Sequence, residues 1–394
     1  MRDMAQAQNP VEEARKNLLA VEKKLNELVI GHEDFVKALM LSVVSGEHVV
    51  VIGPPGTAKS YAIHALSTLL NAKFYKYLLT RFTSYDELFG VVDVAELAKT
   101  GSFKRNWSGI VSADFIFLDE VFKANSAILN ALLSLLQERI LYDPMTGQAT
   151  PAQLHSCVAA SNEVPEDIEL QALYDRFSIK IFVDYLDNDS MLLRALEARW
   201  LNNGNIQPLA TMQDVKILNS YVEKLVAAKI KDLGEVYKLY HVNTIPLIKS
   251  LRSKGILVSD RTVIEKLPKL FAAYLALYGI TLDNVMNATY DIIIYTARSR
   301  EELTAIKKTI DESLGEVAEL AKKLEKAKEL IRARNLSQAK NILTEIINTD
   351  VQELAQRTPW MRPRIESIIA SARQLLQNIK ALEEQIARLA GEIQ

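Results

Sequence analysis

A four-residue apolar run, Val49-Val50-Val51-Ile52, ends in Gly53-Pro54-Pro55-Gly56-Thr57-Ala58-Lys59-Ser60, and apolar residues then recur at helical spacing. This stretch limits the fold more than any other. A buried strand must deliver the chain to a tight turn that opens into a helix, which belongs to α/β architecture. The spacing is that of a phosphate-cradling loop, G-x-x-x-x-G-K-[ST], with Ala58 where the second glycine is usual. Gly53 and Gly56 permit backbone conformations that a Cβ disfavours, so successive N–H groups can turn onto an anion at the positive end of the next helix. Lys59 supplies a point charge for the β- and γ-phosphates, and Ser60 a hydroxyl for Mg²⁺. The run Gly53, Pro54, Pro55, Gly56, Thr57, Ala58, Lys59, Ser60 and Tyr61 is the candidate nucleotide-holding segment. Ala58 is expected at the helix entry with an ordinary negative φ, where a methyl group is tolerated.

Further strand-like runs follow at "KFYKYLL", "ADFIFLDE", "SCVAASN" and "FSIKIFV", separated by helical stretches. Alternation of this kind predicts a parallel sheet covered by helices. Beyond about residue 186 the strands stop, and helices follow with interruptions at "NNGN", "HVNTIP" and "SKGILVSD". From about residue 301 the spacing predicts three long amphipathic helices, the second carrying Ile342 to Leu354 and the third following "TPWMRP". Asn9 is placed to cap a first helix with Pro10 at its first position. The expected division is an N-terminal helix packing on the core (1–30), a nucleotide-binding αβα core (31–186), an all-α lid (187–300) and a helical C-terminal domain (301–394).

In "FIFLDEVFKA" an apolar strand ends in Asp119-Glu120, at the edge where open α/β sheets bind ligands. Asp119 would hold Mg²⁺ through water, and Glu120 would polarise a water attacking the γ-phosphate. Asn162 ends a neighbouring strand in "CVAASNE", where its amide can orient the same water. Arg176, between a short helix and a strand, is placed where one subunit could offer it to a neighbour's γ-phosphate, stabilising charge in the transition state. Arg261 in "VSDRTVIEKL" enters a helix from which it could reach the nucleotide.

Together these motifs resemble the AAA+ ATPases and, within them, the MoxR family, which tolerates alanine before the loop lysine. "LLTRFTSYDELFG" (78–90), "FLDEVFKANSAILNALLSLLQER" (117–139), "AASNE" (159–163), "ALYDRF" (172–177) and "VSDR" (258–261) resemble the RavA subgroup. The resemblance implies an ATPase using ATP and Mg²⁺. It assigns Lys59 and Ser60 to Walker A, Asp119 and Glu120 to Walker B, Asn162 to sensor 1, Arg176 to an arginine finger and Arg261 to sensor 2. It also implies a homo-oligomeric ring, expected to be hexameric, and a chaperone-like action on a protein carrying a von Willebrand factor A domain. The ninety-odd residues from about 301 are expected to hold a triple-helical domain and not an additional β-rich accessory domain inserted within it.

Two other function classes stay open. A nucleic-acid translocase shares the alanine variant, but a net charge of −2 and the lack of a nucleic-acid module argue against it. A nucleotide-gated scaffold would bind partners through its C-terminal helices while hydrolysing slowly. A single cysteine, Cys157, excludes an intrachain disulfide framework. No apolar run approaches a membrane span and "MRDMAQAQNPVEEARKN" lacks a signal-peptide core, so a cytoplasmic protein is expected. In the insert "GVVDVAELAKTGSFKRNWSGIVSADF" (90–115), Lys104, Arg105 and Trp107 form either a basic, aromatic pore surface or an ordinary polar loop.

Overall fold

The computed structural model describes residues 10–187, 189–201, 206–227, 234–332, 335–357 and 361–391. The strand-like runs form β1 (Val49–Ile52), β2 (Phe74–Leu78), β5 (Phe115–Asp119), β8 (Ser156–Ser161) and β9 (Ile179–Phe182). They make one parallel sheet in the order β2-β5-β8-β1-β9. Strands β1 and β8 are buried throughout, as continuous apolar runs in a sheet covered on both faces should be, whereas edge strand β2 is only partly buried. The remaining strands, β3 (Gly90–Val92) with β4 (Arg105–Trp107) and β6 (Ile140–Tyr142) with β7 (Ala149–Pro151), form two antiparallel pairs.

The described residues group into two compact units, one of 1–237 with 259–300 and one of 238–258 with 301–394. In the first, α1 (Pro10–Leu28), α2 (Glu33–Ser45), α9 (Met212–Ala227), α11 (Leu267–Tyr278) and α12 (Leu282–Ile294) pack on one another. Helix α11 buries residues all round its axis, from Leu267 and Leu270 to Ala276 and Leu277, because α2, α9 and α12 enclose it. Helices α3 (Lys59–Leu69), α4 (Tyr85–Phe89), α5 (Val94–Thr100), α6 (Ser126–Glu138), α7 (Ile168–Tyr174) and α8 (Asp189–Leu201) complete this unit.

The second unit holds most of α10 (Gly234–Ser253) with α13 (Arg300–Arg332), α14 (Leu336–Ile347), α15 (Val351–Arg357) and α16 (Arg362–Gly391). Two expectations change here. The interruption expected at "HVNTIP" lies inside α10, which runs through Pro246 with Leu247, Ile248 and Leu251 buried. The second long helix divides into α14 and α15, because Asp350 Oδ1 accepts the backbone N–H groups of Gln352 (2.9 Å) and Glu353 (3.0 Å) and so starts a new helix. Asn9, "NNGN" and the start of "TPWMRP" (358–360) lie outside the described residues.

A polar network fills the edge where the strands begin. Cys157 N–H donates to His48 Nδ1 (2.9 Å), so Nε2 carries the proton and donates to the Leu136 carbonyl (2.8 Å). Arg139 abuts the same ring, and His155 Nε2 bonds to the Val43 carbonyl (2.6 Å). Burial first, then Arg139, holds His48 well below the ordinary histidine value; burial likewise lowers His155. The unfolded chain therefore binds more protons below pH 6.5, and stability is lost as pH falls through that value. The expected slope is about 1.4 kcal/mol per pH unit for each histidine, and His48→Gln should remove its share. Urea denaturation at stepwise lower pH measures it; equal slopes in the two proteins would refute the assignment.

Within the insert, Arg105 and Trp107 are less exposed than either alternative read in the sequence assumes. Arg105 is buried: Nε donates to Asp143 Oδ2 (2.6 Å), and Nη1 to Asp86 Oδ1 (2.5 Å) and the Gly90 carbonyl. Its guanidinium also lies 5.0 Å from the Tyr85 ring centroid and 5.8 Å from that of Trp107. Trp107 is half-buried against the apolar core. Arg105 is not a surface residue, because a desolvated guanidinium needs these carboxylates and aromatic faces. Of the three, Lys104 alone is exposed, next to exposed Phe103.

Candidate functional site

The sheet order decides which side chains can meet. Strand β8 lies between β1 and β5, so the loop after β1, the Asp119-Glu120 pair after β5 and Asn162 after β8 share one edge. Gly53 N–H bonds to the Ser161 carbonyl (3.0 Å), fixing the loop to that edge. A Cβ on Gly53 would lie 2.2 Å from the Val183 carbonyl, so only glycine fits this approach.

The loop closes on its own lysine. Lys59 Nζ donates to the carbonyls of Gly53 (2.7 Å) and Pro54 (2.8 Å), and Thr57 Oγ1 also donates to Pro54 (3.0 Å). Burial lowers the Lys59 ammonium below the ordinary lysine value, while Asp119 and Glu120 oppose that shift from electrostatic range. Ala58 departs from expectation: its φ is +57° and ψ 14°, left-handed backbone at the cap of α3. A side chain there costs roughly 1–2 kcal/mol relative to glycine, so this loop is strained where its usual form is not.

Glu120 is left-handed too, with φ +54° and ψ 44°. Asn162 Nδ2 donates to Glu120 Oε1 (2.8 Å), and Lys123 Nζ stands 3.4 Å from Oε2. The carboxylate is thus held from two sides while its backbone is bent out of the strand direction. Left-handed backbone at a non-glycine residue persists only where surrounding contacts enforce it, and two of the four such residues in the described chain, Ala58 and Glu120, lie here.

A pocket of about 580 Å³ adjoins the loop at Gly56, Thr57 and Ala58. Ile30, His32, Tyr61, Tyr185, Leu192 and Arg199 contribute to its wall, with the Arg199 guanidinium 5.5 Å from the Tyr61 ring centroid. Apart from Tyr61, the sequence analysis named none of these residues. They come from segments on either side of the sheet's motifs, and no spacing rule links them. A flat, largely apolar cavity with a few nitrogen donors beside a phosphate loop suits a nucleoside.

Ser60 and Asp119 offer a hydroxyl and a carboxylate, the hard oxygen donors that Mg²⁺ takes. Among the described residues, no cluster of three or more His, Cys, Asp or Glu could hold a metal alone. The donor pair therefore fits a cation that shares its ligands with phosphate and water.

The two arginines lie elsewhere. Arg176 precedes β9, whose residues Ile179 to Phe182 pair with Val49 to Ile52, so it stands at the opposite edge from the loop after Ile52. Those paired residues span about 10 Å. Arg176 Nε is buried and has no hydrogen-bond partner. Arg261 does not reach its own chain's loop as expected. It pairs with Glu265 (2.9 Å) and lies with Arg176 in the electrostatic surroundings of Lys266, which bonds to the Asp175 carbonyl. The cause is packing, since α11 leads its N-terminal residues to the edge where strands begin.

An uncharacterized protein of Methanocaldococcus jannaschii is 36% identical over 61% of this chain and 61% of its own length. A second uncharacterized protein of that organism is 34% identical over 63% of this chain and 62% of its own. This chain thus spans about three fifths of the length of those relatives. The chaperone MoxR1 of Mycobacterium tuberculosis is 25% identical over 41% of this chain and 43% of its own. A crystal structure from Cytophaga hutchinsonii, assigned as an ATPase, superposes with a TM-score of 0.55 at 20% identity, covering 72% of this chain and 87% of that one, which supports the fold. Residues 16–226 match the family described as the MoxR domain in MoxR–vWA–β-propeller ternary systems, and they contain the loop, the carboxylate pair, Asn162 and Arg176. The chain belongs to the MoxR family of AAA+ ATPases.

Proposed function

We propose that this protein hydrolyses ATP with Mg²⁺ at sites shared between neighbouring copies in a ring, and uses the cycle to remodel a partner protein. The observation that carries the reading is Glu120, held by Asn162 and Lys123 at the sheet edge that bears Lys59. Backbone N–H groups of Gly56 to Ser60 and the Lys59 ammonium would bind the phosphates. The pocket beside Tyr61 would take the nucleoside. Mg²⁺ held by Ser60 and Asp119 would neutralise charge on the phosphates. Glu120 accepts a proton from the attacking water, and Asn162 fixes the carboxylate's direction.

Arg176 and Arg261 both serve the neighbour's nucleotide in this reading, because their edge faces away from their own loop. A ring, taken here as a hexamer, supplies that neighbour. The family's description supports a von Willebrand factor A domain protein as the partner class, and the name of the relative MoxR1 supports a chaperone-like action on it. The stretches at 78–90 and 117–139 support a RavA-like reading, with a cytoplasmic setting. Among the described residues, no helix is long and apolar enough to cross a membrane.

Calorimetric titration tests the nucleotide site. Wild-type protein should bind Mg²⁺-ATP, and Lys59→Ala should weaken that binding at least about a hundredfold, as loss of a charge-assisted phosphate contact in a desolvated loop implies. Equal affinity in the two proteins would move the nucleotide site elsewhere.

A further inference from the structure

Arg176 is placed by its backbone, since its buried Nε finds no partner of its own. The turn that carries it is held by several contacts. Arg176 N–H bonds to the Leu173 carbonyl (3.0 Å), and Phe177 N–H to that of Tyr174 (3.3 Å). Lys180 Nζ donates to the Phe177 carbonyl (3.0 Å) and stands 5.1 Å from the Tyr174 ring centroid. Arg298 Nη2 reaches the Asp175 carboxylate at 3.1 and 3.3 Å, but both side chains are about half exposed, and such pairs contribute little.

Lys266 differs from these. Its side chain is buried, and its Nζ donates to the carbonyl of Asp175, the residue directly before Arg176. The local backbone is unusual as well. Residues Thr262–Lys266 form a π-helical turn, closed by Leu267 N–H bonding to the Thr262 carbonyl, directly before Pro268. A five-residue turn widens the helix and re-aims the side chain that ends it, and such turns recur at functional sites.

We propose that Lys266 is a positioning residue for Arg176, holding the Asp175 carbonyl so that the arginine presents to the neighbouring subunit's nucleotide. The inference rests on the trans role proposed for Arg176. It also ties Arg261 to the same turn, because Arg261 and Lys266 bracket the π-helical segment. Four charges and one buried histidine face Lys266: Glu47 and His48 before β1, Asp175 and Arg176 on the turn, and Arg261 on its own segment. Lys269 pairs with Glu47 (3.4 Å) and Glu223 (3.1 Å) close by. Burial first, then Arg261 and Arg176, brings the Lys266 ammonium down to about 8, against the opposing pull of Glu47 and Asp175. Proton loss near that pH replaces a charge-assisted bond to Asp175 with a weaker neutral one.

Steady-state kinetics of wild type, Lys266→Met, Lys266→Arg and Arg176→Ala tests this. Lys266→Met should lower kcat about tenfold with KM for ATP changed by less than about twofold, because the ATP bound in its own loop is untouched. Wild-type kcat should decline as pH rises through about 8. Lys266→Arg should retain most turnover and lose that decline, since a guanidinium stays protonated. Adding Lys266→Met to Arg176→Ala should cause no further loss, as expected of two residues that act through one group. Normal kcat in Lys266→Met, or a further tenfold loss in the double variant, overturns the proposal. Should Lys266→Met fail to fold, the pH profiles of wild type and Lys266→Arg decide alone: identical profiles overturn it. Normal turnover by Arg176→Ala is a different failure, which removes the trans reading and Lys266's role with it.

Discussion

Replacing Glu120 by glutamine should slow ATP hydrolysis at least about a hundredfold while ATP still binds, the loss expected when a general base is removed. The substitution is close to isosteric. A glutamine oxygen can still accept from Asn162 Nδ2, and the left-handed backbone at this position is unchanged, so the turn keeps its shape. What disappears is the charge that takes the proton from water, together with the ion pair to Lys123. Binding should survive because the phosphate contacts proposed above come from the loop and Lys59. Phosphate release and fluorescent-ATP binding on the same preparation separate the two effects. Wild-type turnover in the glutamine protein would remove Glu120 from the chemistry.

Arg176→Ala should also abolish most turnover, yet be rescued by a protein that is itself inactive. The arginine stands at the edge where β9 begins, about a strand's length from its own loop, so its loss leaves the subunit's own ATP site whole. Lys59→Ala has the opposite defect: a broken loop and an intact arginine. In randomly mixed rings of equal parts, about a quarter of the interfaces pair an intact loop with an intact arginine, and activity should return to about that fraction. Arg261→Ala should complement in the same way, since it shares the surroundings of Lys266. Native mass spectrometry confirms mixing. Mixed rings without activity would make both arginines structural.

The sheet and the cluster of side chains at its edge were legible because they are written in contiguous residues. All five sheet strands appear as strand-like runs, and the loop, the carboxylate pair and Asn162 each sit at the end of one. What escaped the sequence depends on contacts between distant segments. The left-handed Ala58 follows from how the loop must turn, which no helical pattern encodes. Arg105 carries a surface character but meets Asp86, Asp143 and Tyr85, the acidic partners 19 and 38 positions away along the chain. The β6–β7 pair was missed although "YDPMTGQ" carries the Asp, Pro and Gly of a turn. Pro246 read as a break because propensity alone disfavours it, whereas buried neighbours keep α10 continuous. The pocket beside Tyr61 is assembled from separate elements, and the contacts of Arg261 with Glu265 and the surroundings of Lys266 arise from packing that its own stretch of sequence does not record.

Arg105 also has a mechanical meaning. One buried guanidinium fastens α4 through Asp86, the start of β3 through the Gly90 carbonyl, and the β6–β7 turn through Asp143. The Asn125 side chain, which caps α6 just after the Glu120 turn, in turn holds the Thr83 carbonyl at 2.8 Å, next to α4. Pieces pinned at a common point cannot bend independently; they pivot together. A shift of α4, β3 or the β6–β7 turn would therefore disturb the contacts that the same guanidinium makes with the other two, so the three respond as a group.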